Sequence, residues 1–235
     1  MPPKERLRNK ILLRLPEAER DYVVEQMEHI VLNLGEVVAE PGAPPRWVHF
    51  PESGVLSSMV LLEDGSTVEG STVGNEGVDG LYLLARKLAN PYKINVQVSG
   101  EFFRLPAAAF AQVMERAPAL PQLLIRYALV SIQRGAQNAA CIQHHTIEER
   151  MCRWLLETAH RKGADAFDLT QEFLSDMLGV RRQSVNLTAR VLQTAGLISY
   201  HRGQLTILNR TGLEESSCEC FRVTDAIYER SMQLR

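Results

Sequence analysis

The part of the sequence with the clearest chemistry is rich in arginine and free of acidic side chains. Between residues 176 and 214 the chain contains no Asp or Glu but has five arginines: Arg181, Arg182, Arg190, Arg202 and Arg210. Guanidinium groups bind phosphate oxygens and can hold guanine through two hydrogen bonds. The formal net charge of the chain is −2, but binding depends on where the charges lie. The segment therefore predicts a local positive surface on a near-neutral protein.

Two helices joined by a tight turn must position the first of these arginines. Thr170 can cap the first helix, and Gly179 supplies the left-handed residue that ends it. The apolar face of this helix consists of Phe173, Leu174, Met177 and Leu178. A second helix is expected to begin near Arg181 and to stop at Ala195-Gly196. This arrangement is a helix-turn-helix.

A short hairpin follows the second helix. Leu197–Tyr200 and Gln204–Leu208 have the composition of strands, and His201-Arg202-Gly203 joins them. The hairpin places an arginine at its tip. The sequence therefore predicts a winged helix-turn-helix within residues 168–210, of a shape and charge that suit double-stranded DNA.

The first turn of the second helix is expected to face base edges in the major groove. Suitable side chains there are Arg181, Arg182, Gln183 and Asn186. Phosphate contacts are expected from Ser184, Arg190, Arg202 and the backbone at Thr170 and Gln171. The alternative is that Arg181 and Arg182 are only solvated first-turn residues. An acid-free helix beside an arginine-tipped hairpin favours DNA binding over that alternative.

The N-terminal half has a different pattern of apolar residues. Helical spacing over residues 17–34 predicts a helix, with Gly35 as its stop. Brief β-rich runs follow up to Leu105, separated by Pro and Gly, and predict a compact β-barrel or sandwich. With 235 residues, of which 45% are hydrophobic, the chain is long enough for two modest domains.

A long helix is predicted from about Pro121 to His145. One of its apolar stripes has the 4-3 alternation of a coiled-coil seam and consists of Ile125, Leu129, Ile132, Ala136 and Ala139. A second stripe consists of Leu120, Leu123, Leu124, Tyr127 and Val130. We expect the second stripe to pack on the chain's own barrel and the first on the same helix of a second subunit, in a homodimer. Burial of both stripes within one subunit is the alternative.

The four cysteines are expected to be reduced packing residues, and we assign no metal. Cys141 and His145 lie one helical turn apart and Cys218-Glu219-Cys220 is a close pair, but the usual Cys-x-x-Cys ligand spacing is missing. No apolar stretch reaches the length of a membrane span, and the first residues lack a secretion signal. These features predict a cytoplasmic protein without a membrane partner.

Several motifs in the C-terminal part resemble the Crp/Fnr family of bacterial transcription regulators. They are Leu169-Thr170-Gln171-Glu172, Leu178-Gly179-Val180-Arg181-Arg182-Gln183-Ser184-Val185, Gly196-Leu197-Ile198-Ser199-Tyr200 and Asn209-Arg210-Thr211-Gly212-Leu213-Glu214. The resemblance implies an α+β fold with a β-roll sensor at 1–117, a dimerisation helix at 118–147 and a winged helix-turn-helix at 148–235. It also implies that Arg182 and Gln183 read bases, with Asn186 and Leu187 one turn on. RNA polymerase is the implied protein partner. Leu187 departs from the family's common arginine, so the target sequence is expected to differ.

The sensor part follows the family less closely. Gly74-Asn75-Glu76-Gly77 resembles the first half of a cyclic-nucleotide phosphate cassette, but Asn90-Pro91 stands where the Arg-Ser pair is expected. Candidate replacements for the positive partner are Arg86, Lys87 and Lys93. A glycine-rich turn without a ligand is the alternative. The sequence fixes no cofactor. A cyclic nucleotide or cyclic dinucleotide is the candidate effector class, with an incomplete cassette.

The sequence thus predicts a homodimeric, sequence-specific DNA-binding regulator under the control of a small molecule in the β-roll. The alternative function is an effector-binding sensor module that acts through protein–protein contacts. No nucleophile elbow, P-loop, dinucleotide-binding glycine motif or His-Glu-x-x-His occurs in the sequence. We therefore expect no enzyme activity.

Overall fold

The computed structural model describes residues 7–65, 67–85 and 89–233. Its α-helices are α1 (Lys10–Leu13), α2 (Glu17–Glu25), α3 (Ala107–Arg116), α4 (Ala119–His144), α5 (Ile147–Lys162), α6 (Gln171–Leu178), α7 (Arg182–Thr194), α8 (Arg210–Glu215) and α9 (Cys220–Met232). Its strands are β1 (Glu28–Leu32), β2 (Val37–Ala39), β3 (Trp47–Pro51), β4 (Val55–Leu61), β5 (Thr67–Val73), β6 (Lys93–Val98), β7 (Gly100–Pro106), β8 (Ala166–Asp168), β9 (Ile198–His201) and β10 (Gln204–Ile207). None of the described helices is long and apolar enough to cross a membrane.

Two antiparallel sheets form the N-terminal part, in the strand orders β1-β7-β3 and β2-β6-β4-β5. Alternate apolar side chains of these strands pack between the sheets in a core that contains Leu56, Ile94, Val96 and Phe102. A second core lies between the helices and the first sheet, and it includes Phe50, Leu105 and Leu124. The β-rich N-terminal fold predicted from the short apolar runs is therefore confirmed.

The helix predicted over residues 17–34 is wrong in its second half. The helix α2 ends at Glu25, and Glu28–Leu32 is the strand β1, paired with β7. Ile30 and Leu32 pack against the core between the sheets, whereas Val31 is 63% exposed. This alternation has a period of two. Three or four apolar residues fit either period, and the non-local pairing with β7 decides between them.

The C-terminal part contains α5 to α8 around the sheet β8-β10-β9, and its core includes Trp154, Leu174, Val185 and Leu205. The last helix, α9, leaves this part and packs along α4, where Tyr228 and Met232 join the N-terminal core. Arg126 on α4 holds the end of α9 by donating hydrogen bonds to the carbonyl oxygens of Ser231 and Gln233, each at 3.1 Å. The two halves of the molecule are thus connected by both α4 and α9.

Candidate nucleic-acid interface

The helix-turn-helix has the local geometry expected from its sequence. The Thr170 hydroxyl accepts a hydrogen bond from the Phe173 amide at 3.1 Å and caps α6. Gly179 ends that helix at φ 62°, in the left-handed region. Arg181 is the N-cap of α7, and no side chain caps this terminus. The first backbone N–H groups of α7 therefore remain available to an anion.

The α7 helix has two distinct faces. Val185, Thr188, Ala189 and Leu192 are buried and hold the helix against the C-terminal core. Arg181, Arg182, Gln183 and Arg190 are exposed, and Ser184 and Asn186 are half-buried. Leu187 lies on the outer face with 67% of its side chain exposed. The predicted base-reading and phosphate-binding residues of α7 thus share the accessible side of this helix.

The wing is the hairpin of β9 and β10. His201 and Gln204 are paired, so Arg202 and Gly203 form a two-residue turn with φ 50° and φ 82°. Two successive positive φ values are typical of the type I′ turn, in which the second position favours glycine. This turn presents Arg202 at the tip. Tyr200 fixes the base of the wing by donating its hydroxyl to the Leu169 carbonyl at 2.9 Å.

One surface concavity brings three segments of the predicted interface together. It is lined by Thr170, Gln171, Arg182, Tyr200, Arg202 and Gly203. Arg182 lies 3.4 Å from Gln171, measured from the guanidinium Nε to the amide Oε1. We call the predicted interface residues (Thr170, Gln171, Arg181, Arg182, Gln183, Ser184, Asn186, Leu187, Arg190 and Arg202) the α7–wing surface. Tyr200 lines the same concavity and is absent from the sequence-based set, in which it appeared only as a strand residue.

The charges of the acid-free segment do not all remain available. Arg210 forms ion pairs with Asp165 at 2.7 Å and with Glu214 at 3.5 Å, so its charge is locally neutralised. Within residues 7–65, 67–85 and 89–233, no ion pair involves Arg181, Arg182, Arg190 or Arg202. The positive potential of the α7–wing surface therefore comes from these four guanidinium groups.

The long helix α4 separates its two apolar stripes as predicted. Leu120, Leu123, Leu124, Tyr127 and Val130 are buried against the chain's own core. The other stripe faces outward, with Ile125 55%, Leu129 54% and Ile132 69% exposed. Ala136 and Ala139 are also exposed, and Ile142 extends the stripe by one further position at 47% exposure. The described part of one chain does not cover this face.

The predicted effector residues have a different environment from the one expected. Glu76 is buried and forms ion pairs with Arg134 of α4 at 2.8 Å and Arg161 of α5 at 3.0 Å. Lys93 lies in β6 opposite Met59 and is not among the ion-pair partners of Glu76. Arg86 and Lys87 lie outside the described residues. Arg134 and Arg161 were missed because nothing local in the sequence connects them to Glu76.

Close packing explains the glycines on either side of Glu76. A Cβ atom at Gly74 would lie 2.6 Å from the Arg161 side chain, and one at Gly77 would lie 1.9 Å from the Tyr127 hydroxyl. The backbone of this turn is also fixed from α1, since the Lys10 amide donates to the Asn75 carbonyl at 2.7 Å. The turn is therefore wedged against both α4 and α5. We call Glu76, Arg134 and Arg161 the Glu76 junction.

Electrostatics keep the Glu76 junction charged. Burial alone would raise the pKa of the Glu76 carboxyl, but the Arg161 and Arg134 guanidinium groups lower that pKa to about 2. Arg161 also donates a hydrogen bond to the Thr72 hydroxyl at 2.6 Å. The junction thus joins the β-roll, the long helix and the first helix of the C-terminal part by ionic contacts that are protected from water.

Comparison with known proteins agrees with this architecture. Residues 149–216 match the Crp-like helix-turn-helix domain. FixK2 from Bradyrhizobium japonicum has a similar fold at 17% sequence identity, with a TM-score of 0.67 and coverage of 82% of this chain and 98% of that one. TTHB099, a CRP-family regulator from Thermus thermophilus, has 19% identity, a TM-score of 0.65 and coverage of 80% and 96%. The c-di-GMP-responsive regulator CLP from Xanthomonas campestris has 14% identity, a TM-score of 0.60 and coverage of 82% and 99%. No curated protein sequence matches the chain.

The β-rich N-terminal part, the long helix and the helix-turn-helix with its wing define the class of winged-helix DNA-binding proteins. Within that class, residues 149–216 match the Crp-like helix-turn-helix domain, which belongs to the Crp/Fnr transcription regulators, and FixK2 and TTHB099 share the fold over 82% and 80% of this chain. The family consists of DNA-binding regulators and not of enzymes.

Proposed function

We propose that this regulator binds a two-fold symmetric DNA site as a homodimer, and that the α7–wing surface makes the contacts. The observation that carries the proposal is the outer face of α7, where exposed arginines adjoin a wing with an arginine at its tip. Arg181, Arg182, Gln183 and Asn186 are of the types that hydrogen-bond base edges. Leu187 would contact a thymine methyl group, which is an apolar contact that arginine could not replace.

The phosphate contacts are proposed for the residues around this reading face. Arg190 and Arg202 supply free charge, and the uncapped N-terminus of α7 supplies N–H donors next to Ser184. Thr170 and Gln171 supply the backbone at the start of α6, beside the wing. Such contacts release counterions, so affinity should fall steeply with salt.

The exposed stripe of α4 supports the homodimer. A row of large apolar side chains on a helix is costly to leave in water, and a 4-3 alternation suits the same helix of a second copy. A two-fold axis along α4 would also repeat the recognition helix. We therefore expect half-sites about one helical turn apart.

Effector control is proposed for a cavity between β5, α4 and α5. Its lining combines Thr72, Ser131, Arg134, Arg153 and Trp154 with the carboxylates of Glu69 and Glu157. Two buried donors there, the Arg153 Nε and the Trp154 Nε1, have no protein hydrogen-bond partner in the described part of the chain, although the Arg153 Nε lies 3.9 Å from the Glu157 carboxylate. Buried donors without hydrogen bonds favour a ligand with acceptor oxygens. A cyclic nucleotide or a cyclic dinucleotide fits this chemistry, with Arg134 and Arg153 in place of the Lys93 proposed from sequence.

The DNA-binding proposal is tested by selecting binding sites from random duplexes with the purified full-length chain. The expected result is enrichment of a pseudo-palindrome, for which the logarithm of the binding constant falls linearly with the logarithm of the salt concentration. Selection is repeated with cyclic mononucleotides and cyclic dinucleotides present. If no sequence were enriched under any of these conditions, the sensor function through protein–protein contacts would replace the DNA-binding one.

The effector proposal has its own measurement. A ligand that binds the folded form raises the melting temperature, so each nucleotide class is screened by thermal shift. Trp154→Phe keeps an aromatic ring at this position but removes the indole N–H donor, and it should reduce the shift. Absence of a shift with both classes would remove these nucleotides from the proposal without affecting DNA binding.

RNA polymerase remains the proposed protein partner, and transcription in vitro from a selected site would show activation or repression.

A further inference from the structure

Four side chains outside the α7–wing surface converge at the C-terminal end of α4. They are Cys141, His145, Cys218 and Cys220, and we call them the thiol–histidine cluster. One sulfur, nitrogen or oxygen ligand atom from each lies within 4.8 Å of the others. The three cysteines are at most 4% exposed, and His145 is half-buried. The chain brings these groups together from two distant segments, the end of α4 and the link between α8 and α9.

Two of the distances between the ligand atoms match a single tetrahedral ion, and all four atoms lie within 4.8 Å of one another. The Cys141 and Cys218 sulfurs lie 3.6 Å apart, and the Cys220 sulfur lies 3.7 Å from the His145 Nδ1. Zinc–sulfur bonds of about 2.3 Å and zinc–nitrogen bonds of about 2.0 Å in a tetrahedron require ligand separations of roughly 3.5–3.8 Å. A disulfide would need the sulfurs about 2 Å apart, and the cysteines are free thiols.

The groups around the cluster are those that orient metal ligands. The second ring nitrogen of His145, Nε2, lies 3.1 Å from the Glu219 carboxylate. A carboxylate on this nitrogen holds its proton there and leaves Nδ1 as the free ligand atom. Gln137 on α4 donates a hydrogen bond to the Cys220 sulfur at 3.1 Å. The Arg153 guanidinium interacts electrostatically with the Cys141 and Cys218 thiols and would offset thiolate charge.

We propose that Cys141, His145, Cys218 and Cys220 bind one zinc ion. The three thiols each lose a proton to solvent as three S–Zn bonds form, and neutral His145 forms an N–Zn bond, with no change in oxidation state. Four protein ligands leave no open position, so the site is structural and not catalytic. The ion would tie the start of α9 to the hinge between α4 and α5.

The sequence alone favoured packing thiols, because the ligands do not follow the Cys-x-x-Cys spacing. Their convergence depends on α9 lying along α4. Cys141 and His145 are one helical turn apart and face the same side, whereas Cys220 is the first residue of α9 and Cys218 lies two residues before it. Folding therefore completes a ligand set that neither segment contains by itself.

The test uses the reduced full-length chain, with metal content measured by mass spectrometry after dialysis against Zn²⁺. The expected stoichiometry is one zinc per chain. Co²⁺ is then substituted as a spectroscopic probe, since its visible bands report tetrahedral geometry and its ultraviolet band reports thiolate ligands. Cys218→Ser and His145→Ala should each weaken Co²⁺ binding at least tenfold.

Two matched controls separate coordination from general destabilisation. Cys152 is equally buried but lies in the C-terminal core outside the cluster, so Cys152→Ser should keep the Co²⁺ spectrum. His144 is the exposed neighbour of His145, so His144→Ala should also keep it. Glu219 is on the surface, and Glu219→Gln should fold and lower Zn²⁺ affinity by about 10- to 100-fold.

Three results would overturn the proposal. The first is a reduced wild-type chain that takes up neither Zn²⁺ nor Co²⁺. The second is a Co²⁺ spectrum that Cys152→Ser abolishes as fully as Cys218→Ser. The third is binding of iron together with inorganic sulfide in place of a single ion. Because these readouts concern the metal alone, they are independent of whether the chain binds the DNA site proposed above.

Discussion

At the scale of single residues, Arg182 has the most specific expected role. It is exposed at the first position of α7 and faces the same concavity as Gln171 and Arg202. An arginine in this place can hold guanine through two hydrogen bonds, whereas arginines further along contact only phosphates. Its removal should therefore change both the affinity and the sequence preference.

We predict that Arg182→Ala costs about 1–3 kcal/mol of binding free energy at the selected DNA site. The loss should be largest for the preferred base at one position of each half-site. Fluorescence anisotropy with single-base variants of the site measures this. Arg222→Ala, which removes an exposed arginine of α9, is the matched control. Equal losses on specific and random DNA would instead make Arg182 a phosphate contact.

A second residue, Glu69, should make stability depend on pH. Burial raises the pKa of its carboxyl to about 7, although hydrogen bonds from Ser57 at 2.9 Å and Gln97 at 2.6 Å oppose the shift. Folding then favours the protonated form. The stability that protonated Glu69 contributes to the fold is fully present below the unfolded pKa of about 4.5, and it is lost as pH rises through about 7.

The corresponding substitution is Glu69→Gln, which imitates the protonated carboxyl. The difference in melting temperature between pH 5 and pH 8 should be smaller in this variant than in the wild type, by a few degrees. Glu63→Gln changes an exposed carboxylate of the turn between β4 and β5 and should leave the pH dependence as it is. If the melting temperatures of Glu69→Gln and the wild type changed by the same amount between pH 5 and pH 8, Glu69 would not be the source of the pH dependence.

At the scale of elements, the outer apolar face of α4 is not covered by the described part of the chain. Its inner stripe is already covered by the core, and its outer stripe continues in the same alternation over most of the helix. A charge in the middle of that outer stripe would have to be buried without a counter-charge if two copies of α4 met there.

We therefore predict that Ile132→Glu converts the dimer to a monomer at micromolar concentration. Sedimentation velocity measures the change, and DNA affinity should fall with it because each monomer holds a single half-site. Gln133→Glu adds the same charge on the neighbouring exposed position outside the stripe, so it should remain dimeric. An unaltered sedimentation coefficient for Ile132→Glu would place the dimer interface elsewhere.

Local signals made some elements readable from sequence. The Thr170 cap, the Gly179 stop and the apolar spacing of α7 act within a few residues, and the structure has α6 and α7 within about one residue of their expected ends. The strand β1 was missed because its partner β7 is far away in the chain. The ion pairs of Glu76 were missed for the same reason, since a buried carboxylate finds its cations through tertiary packing.

At the scale of the whole molecule, the Glu76 junction connects the three regions that regulation would have to couple. Its carboxylate faces guanidinium groups from α4 and α5, so a shift of either helix changes the same buried contact. Because separating buried charges is costly, we expect these ion pairs to be either formed or broken, with few intermediate arrangements of the helices. The domain boundaries at 117 and 148 remain our proposal.

Removing the shared carboxylate of the junction should be worse than removing it together with one of its cations. We predict that Glu76→Gln lowers the free energy of unfolding by about 3–5 kcal/mol, because Arg134 and Arg161 are then left buried without the carboxylate that both contact. Adding Arg161→Met to that variant should restore part of the loss, which urea unfolding measures as a double-mutant cycle. Additive losses would show that the two side chains act independently.

The course of the last helix has a practical consequence for dividing the protein. Tyr228 and Met232 at the end of the chain are seated in the N-terminal core beside α1 and α4. A fragment that begins at residue 148 would leave these side chains without their cover, and a fragment that ends at residue 147 would have an open groove where they belong. Neither half is therefore expected to remain folded and soluble when it is expressed alone.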